Sequence, residues 1–216
     1  INKVDADSVG MMIDNIQMAS ETNPNSNLSL QVLSSVADIA SLTAAKNEAA
    51  ATAAITTAEG GMTNFFAEIE EIDILIESAV SHAGNDAKSS TMLANVMTNS
   101  DADTINMLVD NIQIVDNQKS LQMMENNENS SLSLQVLSYV VDNNFENNTS
   151  FDTGAQIQVN KLIETAVASA GSNEADSMLL ANVITKSDAS TAGVMLDSIA
   201  TVAAKDPYST LAAEVL

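Results

Sequence analysis

Three short acidic phrases hold the residues of this 216-residue chain best suited to chemistry: DADS from Asp5, DADT from Asp101 and DAST from Asp188. Closely spaced carboxylates and hydroxyls are the donors that a divalent cation takes. A helix-loop-helix calcium loop, however, needs oxygen donors at alternating positions, a central glycine and a glutamate at its twelfth position. Counted from Asp5, the fifth and twelfth positions are Val9 and Ile16; counted from Asp101 they are Ile105 and Ile112. The loop is absent, and Asp5, Asp101 and Asp188 read instead as N-caps, whose carboxylates accept hydrogen bonds from the free amides of a first helical turn. Further along the same phrases, Asp14, Asp110 and Asp197 are equivalent, and a looser cation site between repeat units would have to use them.

Other candidates are isolated. His82 is the only histidine, and its neighbours Glu77 and Asp86 form neither a ligand set nor a triad with it, so it reads as an exposed residue at a helix end. Met12, Met107 and Met195 fall within an apolar helical stripe, where thioethers fill gaps in a core. Asn129-Ser130-Ser131, Asn147-Asn148-Thr149 and Asn148-Thr149-Ser150 fit the N-glycosylation acceptor pattern and point to surface positions. The seven glycines are scattered, with no phosphate loop and no nucleophile elbow. The sequence therefore assigns no catalytic, cofactor-binding or metal-binding residue, and a non-enzymatic role is expected.

Composition narrows the partners. The chain carries 29 acidic residues against 7 basic ones, all lysine, for a formal charge of −22. Without a basic footprint or any arginine it is unsuited to nucleic acid, and an anionic membrane surface would repel it. Diffuse cation association, a basic partner or a second copy of the chain remain as partner classes. Cysteine is absent, which removes disulfides and thiolate sites. No apolar run approaches the length of a membrane span.

The elements that would position these residues are helices. Apolar residues make up 45% of the chain and aromatics only 3%, so its core is Ala, Val, Ile, Leu and the 11 Met, which suit close helix packing better than sheets. Each acidic phrase opens an amphipathic run: Val9, Met12, Ile13 and Ile16; Ile105, Leu108, Val109 and Ile112; Ala192, Met195, Leu196 and Ile199. The three copies start 96 and 87 residues apart, a period long enough for several stacked helices. Pro24 and Pro207 fall on equivalent positions after Asn23 and Asp206, as expected of a helix with Pro in its first turn. LSLQVLS at Leu28 recurs at Leu132, displaced by eight extra residues around Gln118 to Asn129 that read as an enlarged loop. Ile76 to Thr98 matches Ile163 to Thr185, with Gly84 and Gly171 at the helix boundaries.

These matches define repeat units 1–83, 84–170 and 171–216, the first holding a variable Ala/Thr-rich insert over 34–75 and the last truncated. The expected fold is all-α, with tandem multi-helix repeats stacked as an α-solenoid or an array of small bundles. Both ends cut a unit, so the chain reads as a window on a longer repetitive protein.

LANVMTNSDADTINMLVDNI from Leu93 and LANVITKSDASTAGVMLDSI from Leu180 resemble the superhelical hairpins of the N-terminal domain of MgtE-type magnesium transporters and of flagellar-motor switch proteins. That resemblance implies an α-helical superhelix. Three roles are expected in turn: a structural segment of an acidic cell-surface or extracellular protein, acting as spacer, self-assembling fibre or adhesive stalk; an intracellular scaffold for a basic or helical peptide; and a domain responsive to divalent cations.

Overall fold

The computed structural model describes residues 6–23, 27–37, 72–83, 86–122, 130–147, 153–170, 174–205 and 210–215. Its helices, in chain order, are α1 (Ala6–Thr22), α2 (28–37), α3 (Ile72–Ser81), α4 (Ala87–Thr98), α5 (Ala102–Gln122), α6 (Leu132–Asn147), α7 (Thr153–Ser169), α8 (Glu174–Lys186), α9 (Ala189–Lys205) and α10 (Leu211–Val215). No strand occurs among the described residues, and the chain is all-α.

Packing follows a skip-one rule. In one row α1 packs on α3, α3 on α5, α5 on α7 and α7 on α9; in the other α4 packs on α6, α6 on α8 and α8 on α10. Alternate helices thus form two layers. The first, row B, holds α1, α3, α5, α7 and α9; the second, row A, holds α4, α6, α8 and α10. Contacts across the layers, chiefly α6 on α7 and α5 on α6, close the core between them. Helix α2 meets α3 there: the hydroxyls of Ser29 and Ser78, both buried, hydrogen-bond at 2.8 Å.

This arrangement explains which copy of a repeated residue is buried. All four apolar positions of α5, namely Ile105, Leu108, Val109 and Ile112, are fully buried, because α5 has a neighbour on each side in its row. In α1, Ile13 and Ile16 are buried against α3, but Met12, the equivalent of Leu108, is 53% exposed. In α9, Met195 and Ile199 are buried toward α7, but Leu196, the equivalent of Val109, is 38% exposed. Met12 and Leu196 therefore correct the expected stripe. Position 108 faces the helix before it in the row and position 109 the helix after it, and among the described residues α1 lacks the first neighbour and α9 the second. Val9 lies outside the described side chains.

Three other expectations shift. The extra residues of the second unit are partly helical, since α5 runs 21 residues to Gln122 where α1 and α9 run 17. Helix α2 starts later than Pro24 suggests: the Asn23 amide donates back to the Ala19 carbonyl to close α1, and the first α2 bond runs from the Gln31 amide to the Asn27 carbonyl. His82 is half-buried rather than exposed, with Nδ1 2.8 Å from the Ser78 carbonyl at the end of α3. The Ala/Thr-rich run and Gly60-Gly61 of the variable insert, Pro24, Pro207, Gly84 and Gly171 lie outside the described residues, as do the sequon residues Asn129 and Asn148.

Candidate functional site

The acidic phrases act as caps wherever they are described. Asp101 Oδ1 accepts from the Thr104 amide at 2.9 Å and so begins α5. Asp188 accepts from the amides of Ser190 at 2.8 Å and Thr191 at 3.0 Å, and from the Thr191 hydroxyl at 3.0 Å. The Thr191 amide, aided by the Thr191 hydroxyl and the Ser190 amide, holds the Asp188 carboxyl below the usual carboxylate range against a smaller opposing effect of burial. Asp86 begins α4 in the same way, accepting from the amides of Lys88 and Ser89 and from the Ser89 hydroxyl. Partial burial works to raise the Asp86 carboxyl, but the Ser89 bonds, the Lys88 amide and the Lys88 charge together hold it below the usual range. These carboxylates spend their acceptor capacity on backbone amides and, at Asp86 and Asp188, a neighbouring hydroxyl, at corners where only a few residues separate one helix from the next.

The equivalent trio Asp14, Asp110 and Asp197 is not brought together. They stand on α1, α5 and α9, with α3 and α7 between them in the row. Asp110 forms an ion pair with Lys161 of α7, whose Nζ also donates to Asn106 Oδ1 at 3.2 Å. Ile74 holds the place of Lys161 in α3, one repeat period earlier. Across the other row, Lys186 of α8 pairs with Asp142 of α6 at 2.6 Å. Among the described residues no three His, Cys, Asp or Glu gather as metal ligands. Met107 packs partly buried against the core and Met195 lies within it.

Two polar features escaped sequence reasoning. Asp116, buried near the C-terminal end of α5, accepts from the Leu132 amide at 2.9 Å, the Ser133 amide at 3.1 Å and the Ser133 hydroxyl. It caps α6 from 16 residues upstream and ties down both ends of the connection peculiar to the second unit; no local pattern signals such a cap. The second feature is a motif. Ser-x-Leu/Met, followed four residues later by Val, recurs at Ser26, Ser90, Ser130, Ser177 and Ser209, ahead of α2, α6 and α10 and within the first turn of α4 and α8. At one junction the Ser90 hydroxyl donates to Gln135 Oε1 at 3.2 Å, joining α4 to α6. The motif marks every second helix, so the packing step is two helices and not the whole sequence period.

Charge divides between the rows. Among the helix side chains described, the accessible acids of row B are Asp14, Asp73, Glu77, Asp103, Asp110, Glu164 and Asp197, whereas row A shows Asp142, already paired with Lys186. The row A surface is instead amide and hydroxyl, with Thr91, Asn95, Gln135, Asn182 and Thr185 accessible. Row B can attract cationic groups over a broad area; no arrangement among the described residues pairs a nucleophile with a base.

Comparison with protein-family models, with curated proteins and with solved structures finds no match to this chain. Function must therefore be argued from the packing itself. Among the described residues no helix is long and apolar enough to cross a membrane.

Proposed function

We propose that this chain is a non-catalytic structural segment, part of an acidic α-solenoid whose extended shape is its function as a spacer, fibre or stalk. The observation that carries the reading is the exposure of Met12 and Leu196 at positions that the interior copy buries completely as Leu108 and Val109. A closed bundle would hide such residues at every copy, whereas an open stack leaves them at its two faces, ready for further units. The segment belongs, in this proposal, to a cell-surface or extracellular protein, a placement supported by the acceptor sequons at Asn129, Asn147 and Asn148 of the second unit. Small-angle scattering tests the shape: the proposal requires the profile of an elongated particle, and a compact globule would overturn it.

A second reading, an intracellular scaffold for a basic or helical peptide, is supported by the concentration of accessible acids on row B. A divalent-cation-responsive domain gains no such support, because Asp14, Asp110 and Asp197 stand apart.

A further inference from the structure

The outward face of row B is acidic and apolar at once. On α5 the stripe opposite the core runs Met107, Asp110 and Ile114, spaced three and four residues apart and so on one side of the helix. Ile114 is 52% exposed, although α3 and α7 pack on either side of α5. On α7, Ile157 is 60% exposed and stands two turns before the exposed Glu164. On α3, Ile74 is exposed three residues before the exposed Glu77. Met18, the equivalent of Ile114 on α1, is exposed as well.

These side chains are not the uncovered ends of the stack. In an open stack a further unit enters the row beside α1 or α9, where Met12 and Leu196 lie open, and it leaves the outer faces of α3, α5 and α7 as they are. Nor does the fold need them. The helices of row A present amide and hydroxyl groups outward, and among the described residues Met178 is the one large apolar side chain exposed on them. Row B instead holds isoleucines in water beside Glu77 and Glu164, neither of which forms an ion pair among the described residues. Exposed apolar groups rimmed by charge mark a surface of contact.

We propose that the outer face of row B, from α3 to α7, docks a basic amphipathic helix of another polypeptide, with its apolar side on Ile74, Ile114 and Ile157 and its lysines or arginines beside Glu77 and Glu164. The inference rests on the scaffold reading and gives it a site and a partner chemistry. Charge selects the occupant. No segment of this chain has a net charge above +1, so neither a second copy nor any of the repeat units in it supplies the cations. A second copy would instead set carboxylates against carboxylates between molecules that each carry −22. A wholly polar basic segment would leave the isoleucines in water, whereas an amphipathic one covers them and neutralises the acids together.

The probe is a labelled helical peptide of leucine and lysine whose leucines form one stripe, compared with a peptide of the same composition whose order breaks the stripe. Fluorescence anisotropy with the full chain at about 0.15 M salt is expected to show saturable binding of the striped peptide, at least about tenfold tighter than that of the other. Ile114→Asp combined with Ile157→Asp adds two negative charges, so an attraction governed by charge alone would hold or strengthen. The proposal requires a loss of at least about tenfold, with helix content unchanged by circular dichroism because both sites are exposed. Met178→Asp, on row A, should leave binding unchanged, and Glu77→Lys combined with Glu164→Lys should weaken it several-fold. Binding that falls with the glutamate changes but ignores the isoleucine changes overturns this inference and leaves the scaffold reading standing; no binding of either peptide, even at low salt, removes both. Dimerisation of the free chain in sedimentation velocity, or binding to zwitterionic lipid vesicles, abolished by the same isoleucine changes would also overturn the proposal, by giving the face to a second copy or to a membrane.

Discussion

Alanine at one repeat position should have two different costs depending on whether another helix precedes its own in the row. Leu108, Met12 and Met195 are equivalent, and the structure buries the first and last completely while leaving Met12 53% exposed. Leu108→Ala removes three carbons from a fully buried site closed toward α3. The transfer term and the cavity left behind together come to about 3–4 kcal/mol. Met195→Ala, closed toward α7, should cost about 2–4 kcal/mol. Met12→Ala gives up less than half a side chain of burial at an edge that solvent refills, so about 0.5–1 kcal/mol is expected. The mirror set gives the converse order: Val109→Ala and Ile13→Ala are costly, and Leu196→Ala loses about 1 kcal/mol. Urea unfolding followed by far-ultraviolet circular dichroism, with native-state hydrogen exchange to place the loss within the stack, measures each value. If Met12→Ala cost as much as Leu108→Ala, α1 would have a covered outer face and the open-stack argument would fail.

Four further outcomes follow. Asp116→Ala leaves the Leu132 and Ser133 amides and the Ser133 hydroxyl without their buried acceptor, so thermal melts should show a loss of about 2–3 kcal/mol, with hydrogen exchange at Leu132 and Ser133 accelerated before that of α5. The Asp86 and Asp188 carboxyls lie below their ordinary value in the folded chain; their capping contribution is thus complete above the unfolded value near 3.8 and is lost as pH falls through the lower folded values. Asp188→Asn keeps the cap but not the titration, so its acid melting curve should fall less steeply below about pH 4 than that of the wild type. Lys161→Met should cost at most about 1 kcal/mol at low salt and nothing measurable in high salt, because the pair it forms with Asp110 is well exposed.

Much of this fold was legible in the residues, for identifiable reasons. The near absence of aromatics and the 3.6-residue recurrence of Ile, Leu, Val and Met gave the helices, and an aspartate before each run located the caps at Asp101 and Asp188, since capping is a local interaction. Periodicity shows which face of a helix is apolar but not whether another helix lies against it, which is why Met12 and Leu196 looked like core. The two-helix step was hidden by uneven connections: Ser90 and Ser130 mark equivalent helices, yet the segments between successive copies differ in length and content. Asp116 carries no sequence signature because its partners lie beyond a connection of variable length. His82 was misplaced for a related reason, as its half-burial depends on the turn closing onto the Ser78 carbonyl.

The claim that the rest depends on is that two-helix steps add along one direction. Residues 84–170 span one full period, so a chain carrying a second tandem copy of them after residue 170 contains two more helices in each row. With packed helices about 8–10 Å apart, the maximum dimension from small-angle scattering should rise by about 16–20 Å for that insertion, and by the same amount again for a third copy. A maximum dimension that barely changes while the particle volume grows would mean that the steps close into a globule, and would contradict the account.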